Sequence, residues 1–139
     1  MFDWWKLDSK KPKSLGQQGE EFAQLEYKKL GYNIVTTNFF NKRGLRKGEV
    51  DFIATMGNKI VFVEVKTRKF NTGKFGSGAE AVSVFKQRKI LKAVKIFLQQ
   101  NPKYLSFVPQ IDVCVVIYNE FDKNTFSATI LANAVEDYG

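Results

Sequence analysis

Apolar positions along the chain repeat with two periods. Between residues 14 and 30, Leu15, Phe22, Ala23, Tyr27 and Leu30 form one stripe of a helix that Ser14 can cap and Gly31 can end. A longer helix is predicted over 79–101, stopped near Pro102, with Val84, Gln87, Leu91, Val94 and Leu98 as its inner face and Arg88, Lys92 and Lys95 along another. Strand patterns occupy 32–38 (YNIVTTN), a hairpin within 48–68, and runs near 108–118 and 126–134 joined by the turn YNEFDKN. Two glycine-containing basic loops, FFNKRGLRKG and RKFNTGKFGSG, separate these elements, and residues 1–13 read as a basic arm ahead of one domain spanning 14–139.

The hairpin GEVDFIATMGNKIVFVEVKTR breaks its own apolar pattern with Glu49, Asp51, Glu64 and Lys66. Gly57-Asn58 as a two-residue turn sets Met56 against Lys59, Ile53 against Phe62, Asp51 against Glu64 and Glu49 against Lys66. Alternation then collects the four charges on one face, with Val50, Phe52, Val61, Val63 and Val65 on the other. Two carboxylates directly opposed in a partly dry site cannot both stay ionised unaided, and a divalent cation with hard oxygen ligands relieves them. The plainer alternative pairs Glu64 with Lys66 or Lys59 on an exposed sheet face. Glu20 lies three residues before Ala23 and seven before Tyr27, so it falls on the first helix's apolar stripe beside Gly16 and Gly19, whereas Glu21 does not. Glu20 can reach the carboxylates of the hairpin, or else sit at the stripe's edge and meet water or the helix N-terminus.

Composition narrows the chemistry. The chain is 44% hydrophobic and 26% charged, carries a net charge of +8 and contains no histidine, which excludes Ser-His-Asp and Cys-His nucleophilic sites and imidazole-based zinc sites. Hydrolysis would therefore need carboxylates, lysine and a hard metal. The single cysteine, Cys114, lies within VCVVI and reads as a core thiol, consistent with a reducing, cytoplasmic location. No secretory signal and no apolar run of membrane-spanning length is present in the sequence, so no membrane partner is expected. Residues 66–103 hold ten Lys or Arg against one acid, whereas residues 104–139 hold one Lys against five acids. One strongly positive end suits a polyanion such as nucleic acid; a solvated basic face is the alternative.

Asp51, then Glu64-Val65-Lys66 thirteen residues on, resembles the D…(D/E)xK motif of the restriction-endonuclease-like PD-(D/E)xK nucleases. The ordered series GQQGEEFA, GY, GEVDFIA, FVEVKTR, a glycine loop and a lysine-rich helix ending in IFL resembles the bacterial YraN-like family over roughly residues 14–134. This resemblance implies an α/β fold with an αβββαβ core, a central mixed sheet flanked by helices. It implies a Mg²⁺- or Mn²⁺-dependent endonuclease acting on DNA, with branched or Holliday-junction DNA suggested by the archaeal resolvases, which act as homodimers. Carried over by motif position, Asp51 and Glu64 would ligate the metal with the Val65 carbonyl. Glu20 would bind a second metal or a metal-bound water, and Lys66 would polarise the attacking water. Gln87 matches a glutamine of some resolvases, and Lys42, Arg43, Arg46, Lys47, Arg68, Lys69, Lys74, Arg88 and Lys92 are the expected nucleic-acid contacts. Gln110-Ile111-Asp112 departs from the superfamily, where a basic residue is expected. A non-catalytic nucleic-acid-binding protein of the same fold is the competing reading.

Overall fold

The computed structural model describes residues 12–40, 49–71 and 84–135. Ser14 caps helix α1 (Leu15–Lys29) through a reciprocal box: its hydroxyl accepts from the Gln17 N–H while the Gln17 side chain accepts from the Ser14 N–H. Gly31, at φ 103°, ends the helix by adopting a left-handed conformation that a Cβ would oppose. Leu30, assigned by periodicity to the inner stripe, is 58% exposed because the helix has already closed at Lys29.

Strands β1 (Asn33–Phe40), β2 (Glu49–Met56), β3 (Lys59–Lys69), β4 (Val108–Asn119) and β5 (Thr125–Leu131) form one five-stranded sheet in sequential order. Only β3 and β4 run parallel, and helix α2 (Val84–Gln100) lies between them in the chain, as a crossover connection requires. The fold is therefore α/β with a mixed sheet, consistent with a restriction-endonuclease-like core. Two apolar layers fill it. On one face Ala23, Tyr27 and Tyr32 pack on Phe52, Ala54, Val61, Val63, Cys114 and Val116; on the other Ile90, Ala93, Val94 and Phe97 of α2 pack on Val50, Ile53, Ile60, Phe62 and Ile111. Edge-to-face contacts of Phe97 with Phe39 and Phe62 fix the second layer, at centroid distances of 5.3 and 5.7 Å.

The inner face of α2 is thus drawn through Ile90, Ala93 and Phe97, with Leu91 and Leu98 only partly buried beside it. Of the expected stripe Val94 is buried as read, whereas Gln87, Leu91 and Leu98 are only partly buried, so the stripe is rotated by about one residue. Ile90 and Phe97 take the core positions, Phe97 through its ring contacts with Phe62 and Phe39.

Asp112 takes Gln110 as a partner where a basic residue is expected before it. It is 1% exposed and accepts from the Tyr27 hydroxyl at 2.7 Å, Gln110 Nε2 at 2.7 Å and the Asn133 N–H at 3.1 Å. Three donors from α1, β4 and the segment after β5 satisfy a carboxylate that burial alone would make costly. Cys114, two residues on, is fully buried, and its thiol is pushed up to about 12 by burial, then by the charges of Asp112 and Glu26. Among the described residues no helix is long and apolar enough to cross a membrane.

Candidate metal and phosphate site

The β2–β3 hairpin follows the expected register from Met56↔Lys59 to Phe52↔Val63, with a positive φ of 59° at Gly57, the first residue of its two-residue turn. The ladder ends there. Asp51 and Glu64 do not form the next rung, because β2 changes hand at Asp51: Phe52 packs toward α1 while Val50 packs toward α2. Strand β1 keeps its register at this level but carries an unusual backbone residue. The pairs Thr37↔Phe52 and Phe39↔Val50 bracket Asn38, which takes a left-handed φ of 51° that asparagine tolerates better than most residues. Val50 therefore leaves the face to which alternation assigned it.

The change of hand turns the Asp51 side chain toward β3. Its Oδ2 accepts the Val65 N–H at 2.7 Å, standing in for the main-chain carbonyl that the ladder would have supplied. Glu64 is buried, with 9% of its side chain exposed, and points to the α2 side, where Lys86 Nζ lies 3.0 Å from its Oε1. The pairing of Glu64 with Lys66 or Lys59 on an exposed face is thus replaced by a pairing with Lys86. Lys59 turns instead to the Tyr32 hydroxyl, at 3.5 Å.

Glu20 arrives from α1. Gly19 is buried against Thr67 of β3, close enough that a Cβ on Gly19 would collide with the Thr67 side chain, and this approach brings the next residue to the carboxylates. Burial, the Asp51 charge, a hydrogen bond with Asp51 and then the Glu64 charge push the Glu20 carboxyl up from 4.5 to about 7. Burial also raises Asp51, against the Val65 N–H, the Glu20 hydrogen bond, the Lys86 charge and a hydrogen bond shared with Glu64. Glu20 therefore holds a proton below neutrality and donates it to Asp51. Lys66, half-buried on β3, is lowered by burial first and then by Arg68, opposed by Glu64, with Lys86 lowering it further. Glu21, by contrast, is exposed and paired with Lys13 at 2.6 Å.

Three carboxylates from three elements, Glu20 of α1, Asp51 of β2 and Glu64 of β3, are thus brought together with two ammonium groups, Lys66 and Lys86. As the side chains stand, no three acidic or thiol groups among the described residues surround a point that an ion could take, and Lys86 holds one oxygen of Glu64. The donor set still fits a hard divalent cation. Mg²⁺ needs only one or two carboxylates plus waters, and a cation there would replace the proton that Glu20 now supplies. Asp51 and Glu64 would hold it, with the Val65 carbonyl beside them.

Of the expected nucleic-acid contacts, Arg68 and Lys69 are exposed at the end of β3, and Arg88 and Lys92 are exposed on α2. Gln87 is half-buried on α2. Lys42, Arg43, Arg46, Lys47 and Lys74, most of the N-terminal arm and the side chain of Glu49 lie outside the described residues. Lys86 escaped the sequence reading because the inner stripe was drawn through Gln87. The row Ile90, Ala93, Phe97, extended back by one turn, reaches Lys86.

A test of the carboxylate contact follows. The Glu20 carboxyl titrates near 7 when folded but near its ordinary 4.5 when unfolded, so the metal-free fold holds the extra proton between these values. Stability from this group is complete below about 4.5 and is lost as pH rises through about 7. Glu20→Gln is expected to flatten that decline, read from urea unfolding in EDTA at pH 5 and pH 8; an unchanged pH slope would mean that Glu20 stands free of Asp51.

The family model described as uncharacterised protein family UPF0102 matches residues 19–116, a span containing Glu20, Asp51, Glu64, Lys66 and Lys86. A UPF0102 protein of Caldicellulosiruptor saccharolyticus is 39% identical over 122 residues, covering 88% of this chain and 97% of that protein. One of Acinetobacter baumannii strain AYE is 40% identical over 99 residues, covering 71% and 70%, and one of Caldanaerobacter subterraneus subsp. tengcongensis is 38% identical over 107, covering 77% and 82%. The chain belongs to the UPF0102 (YraN) family, known as a PD-(D/E)xK nuclease-like family.

Proposed function

We propose that this protein is a metal-dependent endonuclease that hydrolyses phosphodiester bonds in DNA, with branched DNA, including Holliday junctions, as its substrate class. The observation that carries the reading is the meeting of Glu20, Asp51 and Glu64 at the place where the β2–β3 ladder ends. Buried carboxylates that touch one another oppose stability unless a cation or a proton joins them, and such clusters are characteristic of functional sites. When bound, Mg²⁺ or Mn²⁺ would lower the pKa of a water and stabilise charge on the phosphate.

The chain's own groups would do the rest. Asp51, fixed by the Val65 N–H, and Glu64, buried on the α2 side, would supply the carboxylate ligands once Glu64 exchanges Lys86 for the ion. Glu20, beside Asp51 and Glu64, would bind a second cation or a cation-bound water. Lys66 carries its ammonium beside the same carboxylates, where a point charge stabilises a phosphorane-like centre. Arg68, Lys69, Arg88 and Lys92 are exposed cations that would hold flanking phosphates.

The competing reading, nucleic-acid binding without catalysis, draws on the Lys86–Glu64 contact, which occupies a ligand oxygen. The test is purified protein with Mn²⁺ or Mg²⁺ on junction, flap, single-stranded and linear duplex DNA. Cleavage that EDTA abolishes, fastest on the branched forms, is the expected result. Salt-sensitive binding with no cleavage of any form would favour the competing reading.

A further inference from the structure

Among the described residues the cation in contact with Glu64 is Lys86, not the motif lysine, and its position is not that of an ordinary surface lysine. It sits one turn before Ile90 on the row that continues through Ala93 and Phe97, residues 0%, 0% and 4% exposed, so it projects toward the sheet. Arg88, Lys92 and Lys95 of the same helix are all exposed. Its ammonium meets a carboxylate with 9% of its side chain exposed, while 31% of the lysine side chain remains accessible to solvent and to an incoming ligand. Its charge is also felt at Asp51 and at Lys66, which places it among the three.

We propose that Lys86 is a resident counter-cation of the site: it holds Glu64 in the metal-free protein, competes with a divalent ion for that carboxylate, and turns to the substrate phosphate when the ion binds. This rests on the nuclease reading and adds a residue to it. An ammonium and a dication on one carboxylate repel each other at contact distance, so the ion and Nζ compete for Glu64 and binding of the ion favours release of Lys86. The long flexible stem lets the displaced ammonium remain near the cleft, where a phosphate is the available anion. The helix thereby couples two events: the ion frees a cation, and that cation favours the polyanion. Linkage makes the coupling reciprocal, so DNA should also tighten the ion.

The experiment uses the full chain, Mn²⁺ as the metal probe and Lys86→Met, which keeps the length of the stem and removes the charge. Mn²⁺ binding without DNA, read by calorimetry or by loss of the free-ion paramagnetic signal, is expected to be roughly 10-fold tighter in Lys86→Met, within the usual range of site–site coupling. Lys86→Arg is expected to stay near wild type. A non-cleaved four-way junction, measured with Ca²⁺ in place of Mn²⁺, is expected to bind Lys86→Met several-fold more weakly, while binding in EDTA changes little. Folding of each variant is checked by its cooperative unfolding transition, and Lys86→Gln stands in should the methionine variant fail to fold. Wild-type protein that binds Mn²⁺ alongside a Lys86→Met variant of equal or lower affinity would overturn this proposal alone. Wild-type protein that binds no Mn²⁺ would overturn both it and the nuclease reading.

Discussion

Asp51→Asn is expected to lower the single-turnover rate of DNA cleavage at saturating Mn²⁺ by on the order of 10³, while the protein still folds. The loss corresponds to several kcal/mol of charge stabilisation when a metal ligand is weakened. The fold survives because an asparagine oxygen can still accept the Val65 N–H, which Asp51 Oδ2 now holds at 2.7 Å. Asp51→Ala separates the two duties of this side chain. It removes the acceptor as well as the ligand, leaving a backbone donor unpaired in a half-buried position, and should cost a further ~1–3 kcal/mol of stability. The check is a cleavage time course beside a urea titration for both variants. Asp51→Asn cleaving at the wild-type rate would remove Asp51 from the chemistry.

Gly19→Ala is expected to destabilise the protein by about 1–3 kcal/mol and to detach Glu20 from the site. Two effects oppose each other here. Alanine favours a helix over glycine by roughly 1 kcal/mol, but the new Cβ would lie 2.9 Å from Thr67 Cβ and 2.8 Å from Thr67 Cγ2. Rotating the threonine moves Cγ2 and Oγ1 and cannot move Cβ, so α1 itself must lift from β3. Glu20, the next residue, moves with it. The expected signature is a loss of stability together with a flatter pH dependence in EDTA. Gly16→Ala, at an exposed position whose added Cβ has the Ser14 hydroxyl 3.9 Å away, should be neutral or slightly stabilising. Thr67→Ala combined with Gly19→Ala should recover part of the loss, because it clears Oγ1 and Cγ2 but leaves Cβ. A Gly19→Ala variant as stable as Gly16→Ala would remove the close approach from the account of how Glu20 is held.

These contacts show which parts of the site local patterns can reveal. The turn at Gly57-Asn58 and the register down to Phe52↔Val63 were legible because a two-residue hairpin and a period of two leave little choice. Helix α1, its Ser14 cap and its Gly31 stop were legible for similar reasons. The end of the ladder at Asp51 was not, since the two-residue period carries no sign of the change of hand there, which coincides with a left-handed Asn38 on the neighbouring strand. Periodicity assumes that a strand keeps its hand, and this one does not. Lys86 was missed because the core of α2 is decided by Phe62 and Phe39, which capture Phe97 and turn the helix by about one residue. The missing basic residue at Gln110-Ile111-Asp112 was legible, but the partners of Asp112, Tyr27 and Asn133, come from opposite ends of the chain, and no local pattern joins them.

The buried thiol of Cys114 has a practical consequence. It is the chain's single cysteine, lies at 0% exposure beneath α1, and its thiol is pushed up to about 12, so in the closed protein it offers neither access nor thiolate to an alkylating reagent. Reaction therefore waits for the centre of the sheet to open. Where the reagent is in sufficient excess, the rate of modification becomes the opening rate itself. The molecule thus carries an internal clock for the separation of α1 from the sheet, readable by mass without any engineered label. Metal, DNA or a substitution that tightens the site would be seen as a slowing of that clock.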